Sequence, residues 1–298
     1  MASEINYSEM VFKLKNGYDM PAIGLGTRGM RNYQTLFRTI DYALQYGFRL
    51  FDTAEVYGNE KLLSNAFRLL LPKYGLDRDE IFITTKLAPI ANDDRFVLET
   101  FERSLENLET EYIDLYMLQY PASANSDPTS PKNKQMRVSN WLAITKLYDQ
   151  SKIRAIGVSN FNINHLMELT EVMAVGPVVN QIEWHPYYYK PEMLKYCTDN
   201  NILIQAYSSF GGLSLGNTEL LKDPVVNEVA KRHDVPATKV LLLWSLQKGI
   251  AVIPKSNNPE HLKENMELNF KLTEEDILQL DALGEKNRKY AWDPSLVA

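Results

Sequence analysis

FRLFDTAEVYGNEKLL, residues 48–63, opens with a short β-rich apolar run that stops on an acid, Asp52, passes through a polar turn, and enters a helical pattern beyond Asn59 and Glu60. The unit is strand, then helix, with a polar residue where the strand ends. It recurs along the chain. Strands are predicted at AIGLGT (22–27), FRLFDT (48–53), IFITTK (81–86), IDLYMLQ (113–119), IRAIGVS (153–159), VVNQIE (178–183), ILIQAYS (202–208) and GIAVIP (249–254). Between them lie stretches such as YQTLFRTIDYALQYG, DRFVLETFERSLENL, NINHLMELTEVM and ATKVLLLWSLQKG, whose apolar residues recur at three- and four-residue steps. Strands alternating with helices build a parallel sheet, and eight such units over roughly 250 residues are what a (β/α)8 TIM barrel requires. Ahead of the first barrel strand, VFKLKNGYDMPAIG carries Asn-Gly between two apolar runs, which predicts a β-hairpin acting as an N-terminal plug. No Pro/Gly/Ser linker or shift of composition divides the chain, so residues 1–298 are expected to form one domain, with the longest loop at PASANSDPTSPKNKQ (121–135).

Composition removes several classes of function. The net charge is −6, with no run of basic residues, whereas a phosphate-backbone binder needs a clustered positive surface. No segment approaches the roughly 18 consecutive apolar residues of a membrane helix. The opening MASEINYSEM has neither the positive leader nor the apolar stretch of a signal peptide. The one cysteine, Cys197, has no internal disulfide partner, and four scattered histidines show no zinc-ligand spacing. The expectation is a soluble, cytoplasmic protein without a metal site, nucleic-acid partner or membrane partner.

A dinucleotide fingerprint presents itself at residues 24–29, Gly-Leu-Gly-Thr-Arg-Gly, with Asp52 ending the next strand. The run before it is only Pro21-Ala22-Ile23, and the helical pattern starts around Tyr33 rather than directly at the glycine turn, where pyrophosphate binding would need a helix N-terminus. The barrel reading therefore stands over a Rossmann one.

In such barrels the active site forms at the C-terminal ends of the strands. Polar residues stand there: Arg28, Asp52, Lys86, Gln119, Ser159 with Asn160, Gln181 with Glu183, Ser208, and Lys255 with Ser256. Any one of them is also explained by a loop beginning; together they favour a common mouth. Asp52, Tyr57 and Lys86 come from adjacent units. An ammonium beside a phenol stabilises phenolate and would lower a value that is ordinarily near 10, so Tyr57 could protonate a developing alkoxide, with Asp52 orienting Lys86. An ion pair with an unrelated tyrosine is the plainer reading of the triplet alone.

The chain resembles the aldo-keto reductases. FDTAEVYGNE, ITTKL, IDLYML, IRAIGVSNF, NQIEWHPY, QAYSSFG and IPKSNNPEHLKEN occur in that family's order over nearly the whole length. The resemblance implies reduction of aldehydes or ketones with NADPH, Tyr57 giving the proton under the influence of Asp52 and Lys86. It implies that Ser159, Asn160 and Gln181 bind the nicotinamide carboxamide, and that Tyr207 stacks on the ring. Gly26, Thr27, Ser208, Phe210 and Gly212 would lie along the rest of the cofactor. Lys255, Ser256, Asn257 and His261 would meet its 2′-phosphate, and Glu264 and Asn265 its adenine. A monomer is the family expectation.

Five positions depart from the pattern. The histidine expected after the fourth strand, in Leu-His-Trp-Pro, is glutamine in Leu118-Gln119-Tyr120-Pro121; its amide can still donate to a carbonyl but cannot ionise. Related 5β-reductases carry glutamate there and reduce a conjugated C=C bond, so enone reduction stays open, as does a binding protein on a reductase scaffold. Arg28 stands where aldose-reductase-like members have tryptophan, and Ala88 and Tyr120 replace further aromatics. Arg28 reads either as a fork of donors for a substrate carboxylate or phosphate or as an arginine in solvent or on a loop acid. The arginine expected against the 2′-phosphate is His261, which predicts some tolerance of NADH and a preference for NADPH that strengthens toward acid pH. Trp292 and Tyr290, in the tail KYAWDPSLVA (289–298), are pocket candidates, whereas Trp244 reads as core and Trp184 with His185 as support for the barrel mouth.

Overall fold

The computed structural model describes residues 6–89, 94–123 and 125–298. Residues 1–5, where the leader was sought, and Ala124 of the long loop lie outside that description. The predicted hairpin pairs β1 (Val11–Lys13) with β2 (Asp19–Pro21) antiparallel. Leu14 and Met20 are buried and pack with Leu50, Phe82, Leu115 and Met117 of the barrel interior, so the hairpin does close the floor.

The barrel strands are β3 (Gly24–Gly26), β4 (Leu50–Asp52), β5 (Phe82–Leu87), β6 (Ile113–Leu118), β7 (Ile153–Ser159), β8 (Val179–Glu183), β9 (Leu203–Tyr207) and β10 (Ala251–Val252), each hydrogen-bonded in parallel to the next. Ten helices cover them: α1 (Tyr33–Gln45), α2 (Glu60–Lys73), α3 (Asp94–Leu108), α4 (Lys132–Asp149), α5 (Ile163–Val172), α6 (Pro191–Asp199), α7 (Pro224–Arg232), α8 (Ala237–Gln247), α9 (Pro259–Met266) and α10 (Glu274–Ala282) are those among the described residues. The last strand meets the first through an Ile23–Val252 bridge, with Val252 N–H donating to Ala22 O at 2.8 Å and Gly26 N–H to Pro254 O at 3.1 Å. None of these helices is long and apolar enough to cross a membrane.

Both faces of the sheet are buried, which is why its strands read as continuous apolar runs rather than as alternations. The interior leaves little room: a Cβ on Gly157 would fall 2.8 Å from the Val179 carbonyl. Trp244 of α8 is fully buried and stacks on Trp184 at 5.9 Å, as core. At the closing seam the strands are shorter than the expected 22–27 and 249–254. Pro254 lacks the N–H that a ladder needs, and Gly249 is taken by the turn that leaves α8, at φ 74°. The expected loop 121–135 is also shorter, because α4 begins at Lys132.

Candidate active site

Register brings the polar strand ends to one level. Asp52 lies opposite Thr84, Lys86 opposite Met117, Ser159 opposite Gln181, and Glu183 opposite Tyr207. They surround a cavity of about 410 Å³ at the C-terminal mouth, lined by Arg28, Asp52, Tyr57, Lys86, Gln119, Ser159, Asn160, Gln181, Tyr207, Lys255 and Trp292, among others.

At its foot the Lys86 ammonium reaches both Asp52 oxygens, at 2.8 and 2.7 Å, and the Thr53 carbonyl at 2.8 Å. It lies 5.2 Å from the centre of the Tyr57 ring. Tyr57 stands on the turn after β4, and the strand end beneath it is fixed by Thr27 and Asn59. Thr27 Oγ1 donates to Asp52 O at 2.8 Å; Asn59 Nδ2 donates to Thr27 O at 3.0 Å, and Asn59 Oδ1 accepts from Thr53 Oγ1 at 2.6 Å. The phenol's pKa is the reverse of the expected lowering. Desolvation pushes it above 10, outweighing the downward pull of Lys86, while Asp52 adds to the rise and Arg28 opposes it. The carboxylate that holds the ammonium offsets part of its field at the phenol, and burial outweighs what remains. A phenol shifted this way is fully protonated at neutral pH, the state a proton donor needs.

The wall beside this group is a continuous hydrogen-bond chain. Tyr207 OH donates to Asn160 Oδ1 (2.6 Å), and Asn160 Nδ2 donates to Ser159 Oγ (3.1 Å) and Gln119 O (2.9 Å). Ser159 Oγ donates to Gln181 O (2.9 Å), and Gln181 Nε2 donates to Asp52 Oδ2 (2.6 Å) and Gln205 Oε1 (2.7 Å). Every side-chain N–H of Asn160 and Gln181 is thus taken, and what these amides can offer a ligand is oxygen. Asn160 and Ser208 hold the left-handed backbone region, at φ 62° and 54°, a strain that recurs at functional mouths.

Other predicted residues are placed differently. Gly26 lines the cavity, but Thr27 is fully buried and acts through its bonds to Asp52 and Asn59. Ser208, Phe210 and Gly211 line it, together with Leu213 to Leu215, which the sequence reading missed. Gly212 lies behind them, where a Cβ would come within 2.9 Å of Tyr290 Cδ1. Ser256, Asn257, His261, Glu264 and Asn265 continue beyond Lys255 into α9 without lining the cavity; His261 is exposed and Asn265 buried. Gln119 lines it, and its Oε1 is buried without a hydrogen-bond partner among the described residues.

A sequence model described as the Aldo/keto reductase family matches residues 22–285. The chain belongs to the aldo/keto reductase family. The 9,11-endoperoxide prostaglandin H2 reductase of Trypanosoma cruzi (strain CL Brener) is 37% identical over 276 residues, covering 92% of each chain. The crystal structure of an aldo-keto reductase enzyme from a Medee basin deep-sea metagenome library aligns with a TM-score of 0.86 at 34% identity, covering 95% of this chain and 98% of that one. An aldo-keto reductase crystallised with NADPH aligns with a TM-score of 0.88 at 26% identity, covering 95% of this chain and 90% of that one.

This aldo/keto reductase closes the outer side of its cavity with the tail. Glu183, fully buried at the end of β8, accepts the backbone N–H groups of Tyr290 (2.7 Å) and Ala291 (2.9 Å), the Lys289 ammonium (3.0 Å) and His185 Nε2 (3.0 Å). Burial alone would raise its pKa; His185, Lys289 and the Tyr290 N–H together carry it down to about 2. Trp292 follows directly. Tyr120 does not line the main cavity but supports Trp292, edge to face at 5.4 Å, and donates to Asp293 O at 2.7 Å. Farther on, Arg137 donates to Ala298 O at 2.8 Å, and His165 Nε2 donates to Val297 O at 3.0 Å while its Nδ1 accepts from Asn162 N–H. Glu183 was visible as a polar strand end, but nothing local to it announced a partner about a hundred residues away.

The His165 tautomer yields a pH prediction. Burial, opposed by the bond to Val297 O, lowers its pKa from 6.5 to about 4. The unfolded chain therefore takes up a proton that the folded chain refuses, so stability is full above about 6.5 and falls as pH drops toward 4. The loss from this residue is expected to be roughly 2–3 kcal/mol by proton linkage. Urea unfolding midpoints measured across that window should fall less steeply for His165→Gln; parallel slopes would refute the assignment.

Proposed function

We propose that this chain is an NADPH-dependent carbonyl reductase that converts an aldehyde or ketone to the alcohol. The observation that carries the reading is a protonated phenol, Tyr57, set over a buried Lys86–Asp52 pair at the foot of a cavity whose adjoining wall is ready to receive a carboxamide. Asn160 and Gln181 offer acceptor oxygens, which suits an amide NH2; Tyr207 offers a flat ring for stacking; Lys255 offers a cation at the far rim, where a phosphate would sit. NADPH, bound by one structural neighbour, supplies the hydride when present. The protein's own contribution is positional and protic. Tyr57 delivers its proton to the carbonyl oxygen as negative charge gathers there, and Lys86 stabilises the phenolate left behind. Gln119 turns an amide toward the same oxygen without adding a titrating group. His261 in place of an arginine makes NADH tolerable. The proposal extends to a cytoplasmic monomer acting on small carbonyl compounds, formed as one domain over residues 1–298.

The test is NADPH oxidation by the purified protein over a panel of aldehydes, ketones and enones, with products identified. Substrate-dependent oxidation with alcohol as product is expected. Loss of enone absorbance with the ketone retained would move the chemistry to C=C reduction, which the amide at Gln119 leaves room for. NADPH binding without turnover of any substrate would make the chain a binding scaffold.

A further inference from the structure

The charges lining the cavity do not balance. Arg28, Lys86 and Lys255 face a single carboxylate, Asp52, and Lys86 occupies both of its oxygens. This is a cationic mouth on a protein of net charge −6. Lys255 lies at the rim leading into α9, on the side proposed for the cofactor's phosphate. Arg28 stands beside it: a Cβ on the next residue, Gly29, would lie 3.7 Å from Lys255 Nζ. It stands two residues beyond β3, between Thr27, which is tied to Asp52 and Asn59, and Gly29, whose φ of 82° turns the chain sharply away. The backbone on either side is thus held, and Arg28 itself lines the cavity. No acid among the described residues forms an ion pair or side-chain hydrogen bond with it, so of its two alternative roles pairing with a loop carboxylate is not taken up, and Arg28 stands exposed to solvent at the mouth. Its charge also reaches the reacting end: it opposes the upward push that burial gives to the phenols of Tyr57 and Tyr207.

We propose that Arg28 is the recognition residue for a carboxylate or phosphate carried by the carbonyl substrate, so that the preferred substrates are anionic aldehydes and ketones. The inference rests on the carbonyl-reductase reading. A guanidinium presents a planar fork of donors that matches both anions, and such charge-assisted bonds are about twice as strong as neutral ones. With no internal partner to displace, Arg28 meets an incoming anion without first breaking an ion pair. Tyr57 and Arg28 would then hold the two ends of one molecule, the carbonyl oxygen at the phenol and the anion at the guanidinium.

The experiment compares kcat/KM for para-carboxybenzaldehyde and its methyl ester, at saturating NADPH, in the wild type, Arg28→Gln and Arg28→Lys. The acid-to-ester ratio is expected to fall roughly 10- to 100-fold in Arg28→Gln, the range of a charged hydrogen-bonded contact, to recover in part in Arg28→Lys, and to shrink with added salt in the wild type. A ratio that stays the same in all three proteins overturns the inference and leaves the reductase reading standing. A drop in NADPH affinity, measured by fluorescence titration, that accounts for the whole effect places Arg28 on the cofactor's pyrophosphate and also overturns it. Failure of both aldehydes, and of every carbonyl compound on the panel above, to oxidise NADPH with the wild type overturns the reductase reading, and this inference with it.

Discussion

Replacing Tyr57 by phenylalanine is expected to lower NADPH-dependent turnover by about 10²- to 10⁴-fold, the range of a lost general acid, with little change in unfolding midpoint. The ring remains over Lys86, at the 5.2 Å separation seen here, and only the hydroxyl is gone. Among the described residues the Tyr57 hydroxyl makes no hydrogen bond to a backbone group, so a purely structural role would leave turnover nearly intact. The same residue sets the pH profile. Because desolvation raises the phenol's pKa and outweighs the pull of Lys86, the proton is in place throughout the neutral range. The reduction rate should therefore be flat from about pH 6 to pH 9, and Gln119, which has no titrating group, adds no acid limb. The check is a kcat profile across that range beside fluorescence titration of NADPH into both proteins. A wild-type profile that declines with an apparent pKa near 7 would mean that the ammonium, not burial, governs the phenol. Equal turnover by wild type and Tyr57→Phe would remove Tyr57 from the chemistry altogether.

What could be read from the sequence was whatever is local to one strand and its neighbour. Each barrel strand appears as an apolar run ending in a polar residue, and parallel pairing then fixes the level at which Asp52, Lys86, Ser159 and Gln181 meet. The two strands at the seam were overextended because their ends are set by closure and by Pro254 and Gly249, not by their own hydrophobicity. The start of α4 was hidden because its buried face carries Asn133, Arg137 and Asn140 along with Trp141, which blurs the apolar period. Those polar residues are committed to loop and tail: Asn133 Nδ2 donates to the Asp127 and Pro128 carbonyls, and Arg137 to the Pro121 and Ala298 carbonyls. The clasp between Glu183 and residues 289–291 was illegible for the related reason that two of its three partners are backbone groups, which have no sequence signature. The direction of the Tyr57 shift failed for a different reason. A list of neighbours gives the sign of each charge but not the depth at which the phenol sits, and here depth decides.

Lys86→Met should cost about 3–5 kcal/mol of stability, the penalty for leaving one member of a buried ion pair alone, and should also abolish turnover. The side chains of Lys86 and Asp52 are 1% and 3% exposed, so no solvent screens the carboxylate that remains. Its surviving side-chain partner is Gln181 Nε2 at 2.6 Å, a neutral donor that cannot offset a buried charge. The unfolding temperature should drop by roughly 10 °C, scaled from the few degrees per kcal/mol of chains this size. The double variant Asp52→Asn, Lys86→Met removes the orphaned charge with the ammonium and should regain most of the loss, because the two residues touch and their effects do not add. Its turnover should stay as low as that of the single variant. This split separates the pair's two roles. A double variant as unstable as the single one would show that the geometry of the strand ends, rather than charge, was lost with Lys86. A double variant that regained turnover would show that the phenol needs neither partner. The expected outcome, stability regained without activity, would mean that burying this pair is a burden on the fold, retained for the lysine held over Tyr57.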